Sequence, residues 1–81
     1  MLLEILTPEK KIFEGEVTIA TFPGADGGFQ VMDQHAPLIS LLKEGVVEYK
    51  VKEGTKALTI TGGVVEVLNN KAILLADGVI N

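Results

Sequence analysis

The chain has no cysteine and no tryptophan, and only one histidine and one tyrosine. Without cysteine there is neither a disulfide nor a thiolate metal site, and a lone histidine cannot assemble a histidine-based zinc centre. A cysteine-free chain fits a reducing compartment. Basic residues are also scarce, seven Lys and Arg against eleven Asp and Glu, for a net charge of −4. That balance offers no basic patch of the kind nucleic acid requires, which argues against DNA or RNA binding. No apolar run approaches the ~18 residues of a membrane-spanning helix. The opening MLLEILTPEKK has no positively charged start ahead of an apolar core, so it does not read as a signal peptide. Any membrane association is therefore expected to run through a protein partner.

What is present is a dense series of short apolar stretches in 81 residues, which bounds the chain to one domain, 1–81. A chain of this size buries only about 60% of its unfolded surface, so packing or a partner must supply its stability. LLEIL (2–6), IFEGEVTIATF (12–22), GFQVM (28–32), LISLLK (38–43), VVEYKVK (46–52), KALTIT (56–61), VVEVL (64–68) and KAILLA (71–76) alternate with turn signals. Their recurrence at about 8–12 residues is that of an all-β sandwich or barrel. Gly15 reads as a bulge or bend between two strands. Asn69-Asn70 and Glu53-Gly54-Thr55 read as tight hairpins, where residues tolerant of positive φ are needed. No segment repeats apolar residues at helical spacing over a full helix length, so no long helix is expected.

The alternation is imperfect in a specific way. Val17 and Ile19 point opposite to Ala20 and Phe22, Val65 and Val67 opposite to Val64 and Leu68, and Ile73 and Leu75 opposite to Leu74. A strand that is apolar on both sides asks for cover on both. One side is the core; the other is a candidate partner patch.

The stretch FPGADGGFQVMDQHAPLISLL (22–42) concentrates three glycines, two of the three prolines and the only histidine. As a phosphate cradle it fails: it has neither glycine-rich phosphate fingerprint, no helix follows, and Asp26 and Asp33 repel an anion. As a catalytic site it fails too, because His35 has no neighbouring nucleophile and Ser40 sits in the next strand. Asp33 and His35 share a side of an extended chain, which is more often a structural hydrogen bond. The carboxylate pairs Glu14/Glu16 and Glu44/Glu48 lie at strand ends and outer faces, where acids are ordinarily solvated. Neither a catalytic residue, a metal nor a cofactor is expected. A second reading, from a different functional class, is a small carrier domain with a modified lysine of the lipoyl or biotinyl type. Lys56 and Lys71 sit near hairpin ends, but neither has the flanking residues of those families.

With these residues in view, the chain resembles the epsilon subunit of F-type ATP synthases, called delta in mitochondria. Gly24, Gly27, His35, Ala36, Pro37 and Leu38 match one family pattern; Gly62, Gly63, Glu66, Val67, Asn70, Leu75, Ala76 and Asp77 match a second. Phe13 and Gly15 sit as in the family's opening segment. Before the histidine, Gln30-Val31-Met32-Asp33-Gln34 departs from the family's usual turn. The resemblance implies a two-sheet antiparallel β-sandwich of about ten short strands. The typical subunit adds a C-terminal helical hairpin; this sequence ends at Asn81, so no hairpin is expected and no nucleotide role is carried over.

The resemblance further implies a non-catalytic rotor part of the central stalk. It would link the gamma subunit to the membrane c-ring, on the cytoplasmic face of a bacterial inner membrane, held there only through the complex. An apolar outer patch would dock on gamma. The loop carrying Asp26, Gly27, Gly28, Phe29, Gln30, Met32 and Asp33 would face the c-ring, with Asp26 or Asp33 opposite a basic residue. Gly24, His35 and Pro37 would shape that loop, His35 by tying its backbone. Gly62 and Gly63, with Glu66 beyond them, would permit a bend or close backbone approach.

Overall fold

A computed structural model describes residues 1–80. It contains ten strands and, among the described residues, no helix: β1 (Leu2–Leu6), β2 (Lys11–Glu16), β3 (Ile19–Phe22), β4 (Phe29–Met32), β5 (Leu38–Leu42), β6 (Gly45–Val51), β7 (Gly54–Ile60), β8 (Gly63–Leu68), β9 (Lys71–Ala76) and β10 (Val79–Ile80). They form two five-stranded sheets, ordered β2-β1-β9-β8-β5 (sheet A) and β10-β7-β6-β3-β4 (sheet B).

The two-residue periodicity decides what lies between the sheets. In β1, Leu3 and Ile5 are buried while Leu2, Glu4 and Leu6 are only partly covered. The same parity puts Val65, Val67, Ala72 and Leu74 of sheet A against Ala20, Phe22, Val31, Val47 and Ile60 of sheet B. Burial of these side chains is the main stabilising term, worth about 1.5–3 kcal/mol for each large one. No buried polar or charged residue interrupts the core among the described residues.

Two expectations are corrected. First, the sandwich is not wholly antiparallel. β1 pairs with β9 in parallel, Leu2 beside Lys71 through Leu6 beside Leu75. Second, Gly15 is no bulge. It sits in regular register opposite Leu3, and its missing side chain leaves room for the Phe13 ring, whose edge lies 3.1 Å from where a Cβ would stand. That ring then packs at a tilt of 44° against Tyr49 of the opposite sheet, centroids 4.6 Å apart. The register shift falls instead between Ile5 and Leu6, opposite Phe13 and Lys11. The bend between β2 and β3 is at Val17-Thr18, and it turns Val17 into the core rather than outward with Ile19. The two-residue β10, on the edge of sheet B and paired with β7, completes the ten strands that the family resemblance implied.

The Asn-Asn turn behaves as read. Asn69 and Asn70 both take positive φ, 52° and 60°, between the paired residues Leu68 and Lys71. This is the primed two-residue turn whose twist suits a hairpin. The β6–β7 hairpin turns at Lys52-Glu53, with Gly54 at φ 145° opening β7.

Candidate functional site

The most distinctive surface is the outer face of sheet A. Leu41 lies opposite Val64, Val64 opposite Leu75, and Leu75 beside Leu6, so an apolar row crosses the sheet from its β5 edge. The next row runs Ile39, Glu66, Ile73, Glu4 and Glu14. Ile39 and Leu41 are 72% and 71% exposed, and Leu68 and Leu75 are each 48% exposed. The far side of the same face is charged. Lys11 bridges Glu4 and Glu14, and Lys71 approaches Glu4. The Lys11 contact holds the Glu14 carboxyl below its ordinary pKa. One sheet face is thus split into an apolar half and an ion-paired half. Its counterpart on sheet B is mixed: Thr21, Gln30, Glu48, Lys50, Thr55 and Thr59 lie along it together with the exposed apolar Met32, Val46 and Ile80, but without an unbroken apolar row of the kind that crosses sheet A.

Beside the apolar half lies the loop after β3. Its backbone joins the two sheets: Gly24 bridges Leu42, Ala25 N–H donates to Leu41 O at 2.9 Å, and Lys43 N–H donates to Pro23 O at 2.9 Å. Gly24 is indispensable here, because a Cβ would stand 2.4 Å from the Gly27 carbonyl and 3.0 Å from the Phe29 ring. Asp26, Gly27 and Gly28 are exposed at the tip. Phe29 is half-buried, its ring against Phe22 at 5.7 Å, so much of it serves packing. Gln30 and Met32 point outward from β4.

The turn from β4 to β5 departs from the extended chain pictured above. Gln34 takes φ 64°, so Asp33 and His35 are not paired with each other. Asp33 instead accepts from the α-ammonium group of Met1. The His35 Nδ1 is 2.7 Å from the Ala36 carbonyl oxygen, and His35 N–H donates to Met32 O at 3.1 Å. Pro37 leads into β5. The Met1 amine has no signature in a side-chain pattern, and sequence reading passed over it.

Gly62 and Gly63 have φ of 148° and 154°. At Gly63 a Cβ would stand 2.3 Å from the Leu75 carbonyl oxygen, which makes this a close backbone approach where β8 joins β9. Glu66 is exposed in the middle of the sheet A outer face. The two lysines considered for a carrier are not at hairpin tips. Lys56 is paired with Tyr49 within β7 and lies 5.9 Å from the Phe13 ring centroid; Lys71 opens β9 beside Glu4. Among the described residues, no group of three His, Cys, Asp or Glu is placed to hold a metal ion. Among them, too, no helix is long and apolar enough to cross a membrane.

These features define a small two-sheet β-sandwich domain with an all-apolar core, whose candidate working parts are its surfaces. Residues 1–81 match the family model described as the ATP synthase delta/epsilon chain β-sandwich domain, and the chain belongs to that family. It is 47% identical over 79 residues to the ATP synthase epsilon chain of Nitratiruptor, covering 96% of this chain and 61% of that one. It is 47% identical over 78 residues to the epsilon chain of Chlorobium limicola, covering 95% of this chain and 89% of that one. The fold is shared with a chain in the central stalk and c-ring structure of Tetrahymena thermophila mitochondrial ATP synthase. There the TM-score is 0.82 at 18% identity, over 99% of this chain and 65% of that one. A chain in the Euglena gracilis mitochondrial ATP synthase structure gives a TM-score of 0.88 at 20% identity, over 96% of this chain and 51% of that one.

Proposed function

We propose that this chain is a non-catalytic central-stalk component of an F-type ATP synthase, seated between the gamma subunit and the c-ring and coupling proton flow to ATP synthesis. Its position would be peripheral, at the cytoplasmic face of a bacterial inner membrane. The observation that carries the reading is the apolar half of the sheet A outer face, in a chain of this family. Exposed Ile39 and Leu41 and half-covered Val64 form an apolar surface of the sort that marks a protein interface. We assign gamma to this face. A close-packed sandwich suits a rotor part, since protein interiors transmit strain.

The loop tip at Asp26–Gly28 and the outward residues Gln30, Met32 and Asp33 form the acidic end proposed to face the c-ring. Contacts of this rim type set register more than affinity. Tagging the chain and purifying it from membranes is expected to bring gamma along; its absence would overturn the stalk reading. Changing Asp26 and Asp33 together to Lys is expected to reduce coupled proton pumping in reconstituted membranes. Unchanged assembly with unchanged pumping would remove these acids from the mechanism.

A further inference from the structure

We infer that Glu66 receives a basic side chain of the partner that docks on the outer face of sheet A, and that this pairing helps select the partner. The inference rests on the docking reading given above, in which the partner is gamma. Glu66 is the acid set inside the apolar half of that face. Ile39 and Ile73 flank it across the sheet, and Val64 and Leu68 flank it along β8 on the same side. Its side chain is exposed. The acids of the charged half, Glu4 and Glu14, are held by Lys11, and Lys71 approaches Glu4 at 3.9 Å. Among the described residues, no ion pair engages Glu66.

Two open hollows adjoin Glu66. One, of about 390 Å³, is lined by Pro37, Leu38, Ile39, Val67 and Leu68. The other, of about 270 Å³, is lined by Leu68, Asn69, Lys71 and Ile73. The first offers the aliphatic stem of a long basic side chain an apolar surface, with the charged end at Glu66. Docking changes what this acid costs. Under an apolar cover a lone carboxylate loses its water, and an unpaired covered charge is expensive. Interface centres are accordingly depleted of charge. An acid standing among the residues to be covered therefore asks for a cation on the surface that covers it. Arginine fits best, since its planar guanidinium binds a carboxylate through two hydrogen bonds and is more weakly hydrated than an ammonium. This chain does not supply the cation. Its seven basic residues are all lysines, and Lys71, which shares a hollow with Glu66, leans to Glu4 instead. A surface lacking the cation would leave Glu66 covered and unpaired, so the pairing rejects wrong partners.

The test measures affinity for the gamma subunit, presented in a synthase preparation stripped of this chain. Four forms are compared: unaltered, Glu66→Gln, Glu66→Lys, and Ile39→Lys combined with Leu41→Lys. Glu66→Gln keeps the shape and removes the charge, so it is expected to weaken binding about tenfold, and Glu66→Lys about a hundredfold. Changing gamma's arginines and lysines to Glu one at a time is expected to find one change that restores binding to Glu66→Lys. Both Glu66 forms are expected to melt within a few degrees of the unaltered chain, because the site is exposed; this separates lost docking from lost folding. The sign of the Gln result decides. If Glu66 only keeps the free face from associating with itself, covering it is a cost, and Glu66→Gln binds gamma as tightly or more tightly. That result overturns the inference, and so does the absence of any restoring change in gamma. If the Ile39/Leu41 form loses gamma while Glu66→Gln does not, the docking face stands and the Glu66 pairing falls. If the Ile39/Leu41 form binds like the unaltered chain, the docking reading falls and the pairing with it.

Discussion

Gly63 shows how far a single position constrains this fold. Its φ of 154° and the 2.3 Å from an added Cβ to the Leu75 carbonyl oxygen leave no room for a side chain. Gly63→Val is expected to cost about 2–4 kcal/mol, the combined scale of backbone strain and a forced shift. That corresponds to a fall in Tm of roughly 10 °C or more for a domain this size, checked by a thermal melt. In the sequence the Gly62-Gly63 doublet reads as a bend or a close backbone approach, and at Gly63 the added-Cβ distance to the Leu75 carbonyl oxygen is that of a close approach. The Met1 amine was not visible, since every chain has one and nothing in the side-chain order says where it lands. Its pKa is raised above its ordinary value of 8.0, first by the Asp33 hydrogen bond, so the charged form is favoured by folding. Stability from this contact is complete below about pH 8 and is lost as pH climbs through the raised value. Melts between about pH 8 and pH 10 should therefore show a steeper decline in Tm for the natural chain than for Asp33→Asn. Burial also pushes the Tyr49 phenol above its ordinary 10.0, but both chains share that group and the difference between them isolates the amine.

At the scale of strands, β5 is the most exposed in character. It is an edge strand, with its C-terminal half covered by residues 23–25 and two large apolar side chains facing solvent. Changing Ile39 and Leu41 together to Lys removes exposed apolar area without entering the core. Tm is expected to move by no more than a few degrees, as surface changes usually shift stability by about 0.5 kcal/mol or less. Recovery of gamma in a co-purification should fall sharply, which tests the docking face apart from the fold. Most strands could be read from the sequence because alternation and turn residues are local signals: β8 ends and β9 begins where Asn69-Asn70 requires. The apolar second face of β8 and β9 was legible as well, in Val64, Leu68, Ile73 and Leu75. β10 was missed because two residues show no alternation. Gly15 was misread because glycine in a strand signals either a bulge or a neighbour's ring overhead, and only the position of Phe13 decides between them.

The whole molecule depends on pairings that no local pattern encodes. β1 lies between β2 and β9, and its inner residues Leu3 and Ile5 are fully covered. Leu3→Ala is expected to cost about 2–5 kcal/mol, a large share of the stability of a chain with no disulfide to support it. Urea denaturation should show the midpoint falling with the slope unchanged. The parallel β1–β9 pair also dictates when this protein becomes itself during synthesis. Of the ten strands, the first in chain order needs, on one side, a partner that is next to last. Until that partner is made, Leu3 and Ile5 have an incomplete sheet to rest on. The domain can close only after nearly all of it has been made, and such distant pairings place it among the slower folders of its size.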